Sequence, residues 1–142
     1  MEVQFVASIA PIVRDPEAAQ AFYQGALGLS LEGGGDGDYK YTHRLEGTKH
    51  FGLWPLSEAA DACFGTDTWP ADIPEPSAGI ELDVESADAV APAAAEMAAR
   101  GYRLLVEPKV EPWGQTVARL LSPEGILVGI VYTPWMHEKG EE

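Results

Sequence analysis

Residues 122–135 read SPEGILVGIVYTPW, a turn followed by a strand with one misfit residue. Ser122-Pro123-Glu124-Gly125 is turn chemistry, because proline presets φ and glycine accepts the reversal. The run after it is apolar and rich in β-branched residues except at Gly129. A glycine inside a strand weakens it and removes a side chain, commonly where another group approaches closely.

Outward from this strand, the chain holds an approximate copy of itself. Val84-Glu85-Ser86-Ala87-Asp88 closes the apolar run ELDV and opens the alanine-rich stretch AVAPAAAEMAAR, ended by Gly101. Ser86 or Asp88 is the expected cap. Pro92 conflicts with an uninterrupted helix and predicts a kink, or a start near Val90. The strand candidates YRLLVE, QTVARLL and ILVGIVY follow. In the first half, Val13-Arg14-Asp15-Pro16-Glu17 does the same work: Asp15 caps, Pro16 suits the first helical position, and Glu17 favours the positive end of the dipole. AAQAFYQGALG continues with Ala18, Phe22 and Ala26 as its apolar face, flanked by Ala19, Tyr23 and Leu27, and Gly28 stops it. LSLE, YKYTHRLE and KHFGLW are the strand candidates there. His43-Arg44-Leu45 matches Ala118-Arg119-Leu120, and Phe51-Gly52-Leu53 matches Val128-Gly129-Ile130.

Each half is therefore β-α-β-β-β, and the chain is one α+β domain. Module 1 spans 1–56, a connector 57–77, module 2 78–133, and a tail 134–142. The connector opens with LSEAADACF, a helical stretch capped by Ser57, and continues as a proline-rich acidic run. Two modules that each expose an apolar sheet face must pair those faces, and a ligand would sit between the curved sheets.

Composition narrows the function classes. The chain has 142 residues, 46% hydrophobic and 23% charged, which suits one globular domain and argues against disorder. Its apolar runs are too short to span a bilayer, and MEVQFVASIA lacks the basic start of a signal peptide. A single cysteine, Cys63, makes no intramolecular disulfide, so a cytoplasmic location is expected. The formal charge is −14, from 23 acids against 9 bases. That disfavours nucleic acid as a partner. It is compatible with steering cationic ligands, and equally with plain solubility.

The sequence resembles the glyoxalase, bleomycin-resistance and dioxygenase superfamily, also called the vicinal oxygen chelate fold. The likeness is carried by VRDPEAAQAFYQGALGLSLE, by the helix-to-strand segment after Val84, and by PWGQTVARLLSPEGILVGIVY. It implies two βαβββ modules around a half-barrel cleft. In the family's enzymes a divalent metal sits on four inward strand positions filled by His, Glu or Gln. Carried onto this chain, those positions are Ser8, Gly52, Gly79 and Gly129. Serine is a poor ligand for Zn²⁺, Fe²⁺ or Ni²⁺, and glycine has no side chain, so neither metal nor cofactor is expected. The three glycines would leave room for an organic guest. The competing reading is that they mark bulges or tight bends.

Strand alternation suggests what lines that room. His50 and Trp54 share the face of Gly52. Glu81 and Asp83 follow Gly79, with Asp83 at a solvated strand end, and Ser8 brings Val6 and Ala10. Trp113 resembles the loop tryptophan that helps wall the pocket of antibiotic-binding members. Ser8, His50, Trp54, Glu81 and Trp113 are thus the candidate ligand-binding residues, offering aromatic faces, an imidazole and a carboxylate to a planar or cationic guest. Blander roles compete: Trp54 as core or dimer interface, His50 as a satisfied surface histidine, Trp113 as a plug for its loop. An inward Glu81 is costly unless paired. No catalytic residue is assigned. Ser-His-acid spacing is not evident, nothing near Cys63 activates it, and His137 falls in a tail expected to be mobile. The expected function is metal-independent binding that sequesters an antibiotic or another aromatic or cationic natural product. The alternative is a lyase, isomerase or dioxygenase-like enzyme with His50 and Glu81 as its acid-base pair. The resemblance also implies a homodimer; no membrane partner is expected.

Overall fold

A computed structural model describes residues 1–33 and 39–137 of the chain. In order these form β1 (Val3–Val13), α1 (Pro16–Gln20), β2 (Glu32–Gly33), β3 (Lys40–Thr42), β4 (Phe51–Pro55) and α2 (Leu56–Phe64). The second half follows with β5 (Ala78–Val84), α3 (Val90–Ala99), β6 (Leu104–Val110), β7 (Thr116–Leu121), β8 (Leu127–Tyr132) and α4 (Pro134–His137). All eight strands join one sheet in the order β2-β3-β4-β1-β5-β8-β7-β6. The order is that of two like halves. In each, the first strand pairs parallel with the last, β1 with β4 and β5 with β8. The two first strands then meet antiparallel. The sheet is closed across the modules within one polypeptide, so both walls of its concave face come from the same chain.

Two cores flank that sheet. On its outer face α3 packs Val90 and Ala94 against Val84, Ala118, Leu120 and Ile130. On its concave face α2 and the connector pack Ala59, Ala60, Trp69 and Ile73 against Ile12 and Leu127. Trp69 is locked by its indole N–H, which donates to the carbonyls of Ile73 and Pro74 at 3.0 and 3.1 Å. A smaller cluster of Ala7, Val117 and Val131, covered by Met136 of α4, fills the other end of the concave face. The open stretch lies between these two plugs.

Local structure departs from the sequence reading in instructive places. Asp15 caps α1 as expected, accepting from the amide of Ala18 at 3.1 Å. After Gln20 the coil widens to a π-helix over Ala21–Ala26, closed by Leu27 N–H to the Phe22 carbonyl at 2.9 Å. The helix rests instead on a flank that brings Tyr23 to 5.9 Å from Phe51, and Ala18, Phe22 and Ala26 face solvent. Pro92 causes no kink, because α3 begins at Val90 and Pro92 sits in its first turn, where no helical N–H bond is lost. Ser86 makes no cap bond, and Ser57 lies inside α2, whose first turn follows Pro55. The strands expected at 29–32 and 39–46 are shorter than predicted, Glu32–Gly33 and Lys40–Thr42. A bulge between Val6 and Ser8 moves Val6 opposite Leu82, on the outer face. One inserted residue reverses the alternation that had placed Val6 beside Ser8.

Register explains Gly129. Ser8 pairs with Glu81, Glu81 with Gly129, and Gly129 with Arg119, giving one row across β1, β5, β8 and β7. β8 keeps unbroken register with both neighbours, so this glycine marks no bulge. Glu81 and Arg119 stand two strand spacings apart, about 10 Å at the backbone, and any side chain at 129 would rise between them. With none there, Glu81 Oε2 and Arg119 Nη2 come within 4.0 Å. A Cβ at 129 would lie 3.2 Å from both Glu81 Cγ and Val131 Cγ1. Gly129→Val should therefore lower stability by about 2–4 kcal/mol, through overpacking and a weakened buried ion pair. Gly25→Ala, whose new Cβ meets nothing within 4 Å, is the control and should stay within about 1 kcal/mol of the parent. Urea midpoints decide it: a Gly129→Val midpoint equal to the parent's contradicts the steric role.

Candidate functional site

Between the two plugs the concave face leaves a cleft of about 480 Å³, within the range that holds small organic molecules. Module 1 supplies Tyr39, His43, His50 and Trp54; module 2 supplies Glu81, Gln115 and Arg119. Ser8, Gly79 and Gly129 lie beneath, and Trp113 and Trp135 stand at the rim, 56% and 46% exposed. All five residues singled out in the sequence, Ser8, His50, Trp54, Glu81 and Trp113, line this cleft. Asp83 is not at a solvated strand end; it is fully buried beneath α4. His137 is likewise no mobile tail residue, since it bonds to Asp83; residues 138–142 of that tail lie outside the described residues.

The room left by the glycines is largely taken by neighbouring side chains. A Cβ at Gly52 would collide with the Tyr39 hydroxyl, and one at Gly79 would meet the Trp54 ring at 3.7 Å. At Gly129 it would press on Glu81. Of the four positions that the family resemblance equates with metal ligands, the three glycines thus lie against a phenol, an indole and a carboxylate. Ser8, at the remaining position, is buried opposite Glu81. The donor set does not suit a metal: one hydroxyl and three glycines. Among the described residues no three His, Cys, Asp or Glu side chains are grouped to hold an ion.

The module 2 wall is a connected polar network. Arg119, only 2% exposed, donates through Nη1 to Glu111 Oε2 at 3.0 Å. Its guanidinium also lies 5.6 Å from the centre of the Trp54 ring, a cation–π distance. Gln115 donates to Glu81 Oε1 at 3.0 Å and to Thr133 Oγ1 at 2.9 Å, and accepts from the Trp113 indole at 3.0 Å. Glu81 is thus paired, which offsets the penalty of turning a carboxylate inward. Trp54 packs on the α2 core and also lines the cleft. Gln115, Arg119, Tyr39, His43 and Trp135 were missed. Arg119 did carry a signal, a charge inside the apolar strand TVARLL. Tyr39, Tyr41 and His43 share one parity on a strand edge, a signal too short to read without its partner.

The module 1 wall is aromatic. Tyr39 and His50 are joined between the hydroxyl and Nε2 at 2.5 Å with their rings nearly parallel, and His43 lies 4.8 Å from His50. Burial, and after it the negative charges of Glu81 and Glu58, hold the Tyr39 phenol well above its ordinary range. Burial, and then the neighbouring His43, lowers His50 to about 4. At neutral pH Tyr39 is therefore the donor and His50 the acceptor. Burial also pushes the Cys63 thiol up to about 11, leaving it a poor nucleophile. A histidine that titrates near 6.5 when unfolded and near 4 when folded makes the unfolded state bind more protons between those values. Stability from this group is full above pH 6.5 and falls as pH drops toward 4. Its size is about 1–2 kcal/mol once the ring's partial contact with water is discounted. The stability of the parent relative to His50→Gln should shrink by that amount between pH 7 and 4 in denaturant titrations. A difference independent of pH contradicts a neutral, buried His50.

Solved structures share this architecture. A glyoxalase/bleomycin resistance protein/dioxygenase superfamily member from Vibrio splendidus 12B01 is 19% identical, with 93% of this chain and 100% of that chain covered and a TM-score of 0.57. Methylmalonyl-CoA epimerase from Streptomyces coelicolor is 17% identical, covering 94% and 99% at a TM-score of 0.50. The 2,2',3-trihydroxybiphenyl 1,2-dioxygenase of Sphingomonas wittichii RW1 is 17% identical and matches 90% of this chain with 42% of its own at 0.57. Such identities speak for the fold alone. No protein of curated function matches the sequence. No helix among the described residues is long and apolar enough to cross a membrane. The family's sequence profile, however, matches residues 6–130, and with that match and the doubled βαβββ sheet the chain belongs to the Glyoxalase/Bleomycin resistance protein/Dioxygenase superfamily.

Proposed function

We propose that the cleft is a metal-independent binding site that captures a small, planar, aromatic or cationic molecule, such as an antibiotic or a related natural product. One observation carries this reading: the positions that the family resemblance equates with metal ligands hold one hydroxyl and three glycines, with Tyr39 and Glu81 crowding the space over Gly52 and Gly129 and the Trp54 ring in contact with Gly79. What faces the cleft is the surface an organic guest requires. Trp54 and Trp113 offer flat π faces, and Glu81 is a carboxylate already oriented by Gln115. Capture of this kind is stoichiometric, so protection would follow the amount of protein and not turnover. A homodimer forms part of the proposal, since superfamily members commonly assemble in pairs.

A second reading has one observation in its favour. The Tyr39–His50 hydrogen bond opens onto the cleft, and such a pair can relay a proton in a lyase or isomerase that needs no metal.

Proflavine, a flat aromatic cation, is a suitable probe. It should quench tryptophan fluorescence at one dye per chain, and Trp113→Ala and Glu81→Gln should each weaken binding about 5- to 30-fold, the range of one stacking or cation–π contact. The dye-bound protein should scatter light as a dimer. Variants that bind like the parent contradict the assignment of these walls.

A further inference from the structure

The chain does not end with its last strand. Asp83 lies on the concave face of β5 with no exposed surface. Its carboxylate accepts the Thr133 amide at 3.1 and 3.3 Å and Nε2–H of His137 at 2.5 Å. Among the described residues, every hydrogen bond recorded for this carboxylate comes from the segment that follows β8. A buried carboxylate is retained only where its partners satisfy it, so Asp83 and residues 133–137 define one another's position. The His137 ring is further held by Phe5 and Tyr132, with centroids at 5.1 and 4.4 Å. The consequence lies one and two residues back along α4. Met136 seats on Ala7, Val117 and Val131, and Trp135 is carried to the rim of the cleft. Thr133 Oγ1 also accepts from Gln115, the residue that orients Glu81 and Trp113.

We propose that Trp135 and Met136 contact the bound ligand, presented by a C-terminal strap that the Asp83–His137 pair fastens against the cleft. Asp83 and His137 are then positioning residues that touch no ligand themselves. Trp135 adds a second rim indole to Trp113, which favours a guest with an extended flat face over a compact one. This rests on the ligand-binding reading of the cleft, but the fastening of the strap can be read in the free protein.

Two measurements test it. Hydrogen exchange by mass spectrometry follows the amides of 133 and 135–137 in the parent, His137→Ala and His137→Gln. Loss of a hydrogen bond to a buried charge should speed their exchange roughly tenfold or more in His137→Ala. The exchange of β8 should stay unchanged, and His137→Gln, which keeps a side-chain N–H donor, should recover much of the protection. Equal exchange in the parent and His137→Ala overturns the strap, and so does a loss that spreads through the whole sheet. Stopped-flow dissociation of proflavine then tests contact. His137→Ala and Trp135→Ala should each release the dye about tenfold faster than the parent, the range of one aromatic contact. Unchanged release in Trp135→Ala overturns the contact. If the parent fails to bind proflavine, the contact falls together with the binding reading, while the exchange result still decides the strap.

Discussion

The site depends on a pairing of charges over a missing side chain. Arg119 is buried in the middle of an apolar strand, held by Glu111 on one side and by Glu81 on the other. Removing Arg119 from such an arrangement would leave Glu111, itself buried, without its closest cation, which is among the more damaging changes a core can suffer. Glu81 reaches Arg119 only because Gly129 stands between their strands without a side chain. Around this contact the site is assembled: Gln115 bonds to the far oxygen of Glu81, Trp113 bonds to Gln115, and the Trp54 ring of module 1 lies against the guanidinium.

The same device recurs on the other wall with different chemistry. Gly52 makes way for the Tyr39 hydroxyl, which donates to a neutral His50. One wall is therefore an internally paired charged network, the other a cluster of aromatic rings. The superfamily scaffold places four strand positions around a common point. In this chain three of those positions are glycines, over which lean Tyr39 from beside β3, Glu81 from the adjacent β5, and Trp54 from β4, two strands away from Gly79. The proposed function rests on that exchange, which sets aromatic faces and a carboxylate where the donors of a metal would stand.

Much of the fold was legible because both halves repeat the same local chemistry. Asp15-Pro16 and the Pro123–Gly125 turn mark boundaries by mechanisms that act within a few residues. What misled were single insertions and packing choices made at a distance. The extra residue at the Val6–Ser8 bulge reversed one side chain, and the π-helical turn after Gln20 rotated Phe22 to solvent. Of the five candidate residues on the cleft, Trp54 and Glu81 lie there because period-two alternation held in β4 and β5, His50 precedes β4 in the same parity, and Ser8 and Trp113 were placed by the family resemblance. Their partners were harder to see. Gln115, Tyr39 and Asp83 acquire meaning only through contacts that span 34, 11 and 54 residues of chain. No periodicity in a single sequence encodes such pairings.

The central claim is that organic side chains have displaced metal chemistry from this cleft, and metal loading tests it most directly. Purified protein is dialysed against equimolar Zn²⁺, Ni²⁺, Mn²⁺ and Fe²⁺ under anaerobic conditions, washed, and assayed for bound metal by plasma mass spectrometry. Binding that never approaches stoichiometry, and that is unchanged in His50→Gln and Glu81→Gln, is the predicted result. One tightly held ion per chain, released when either side chain is replaced, would contradict it.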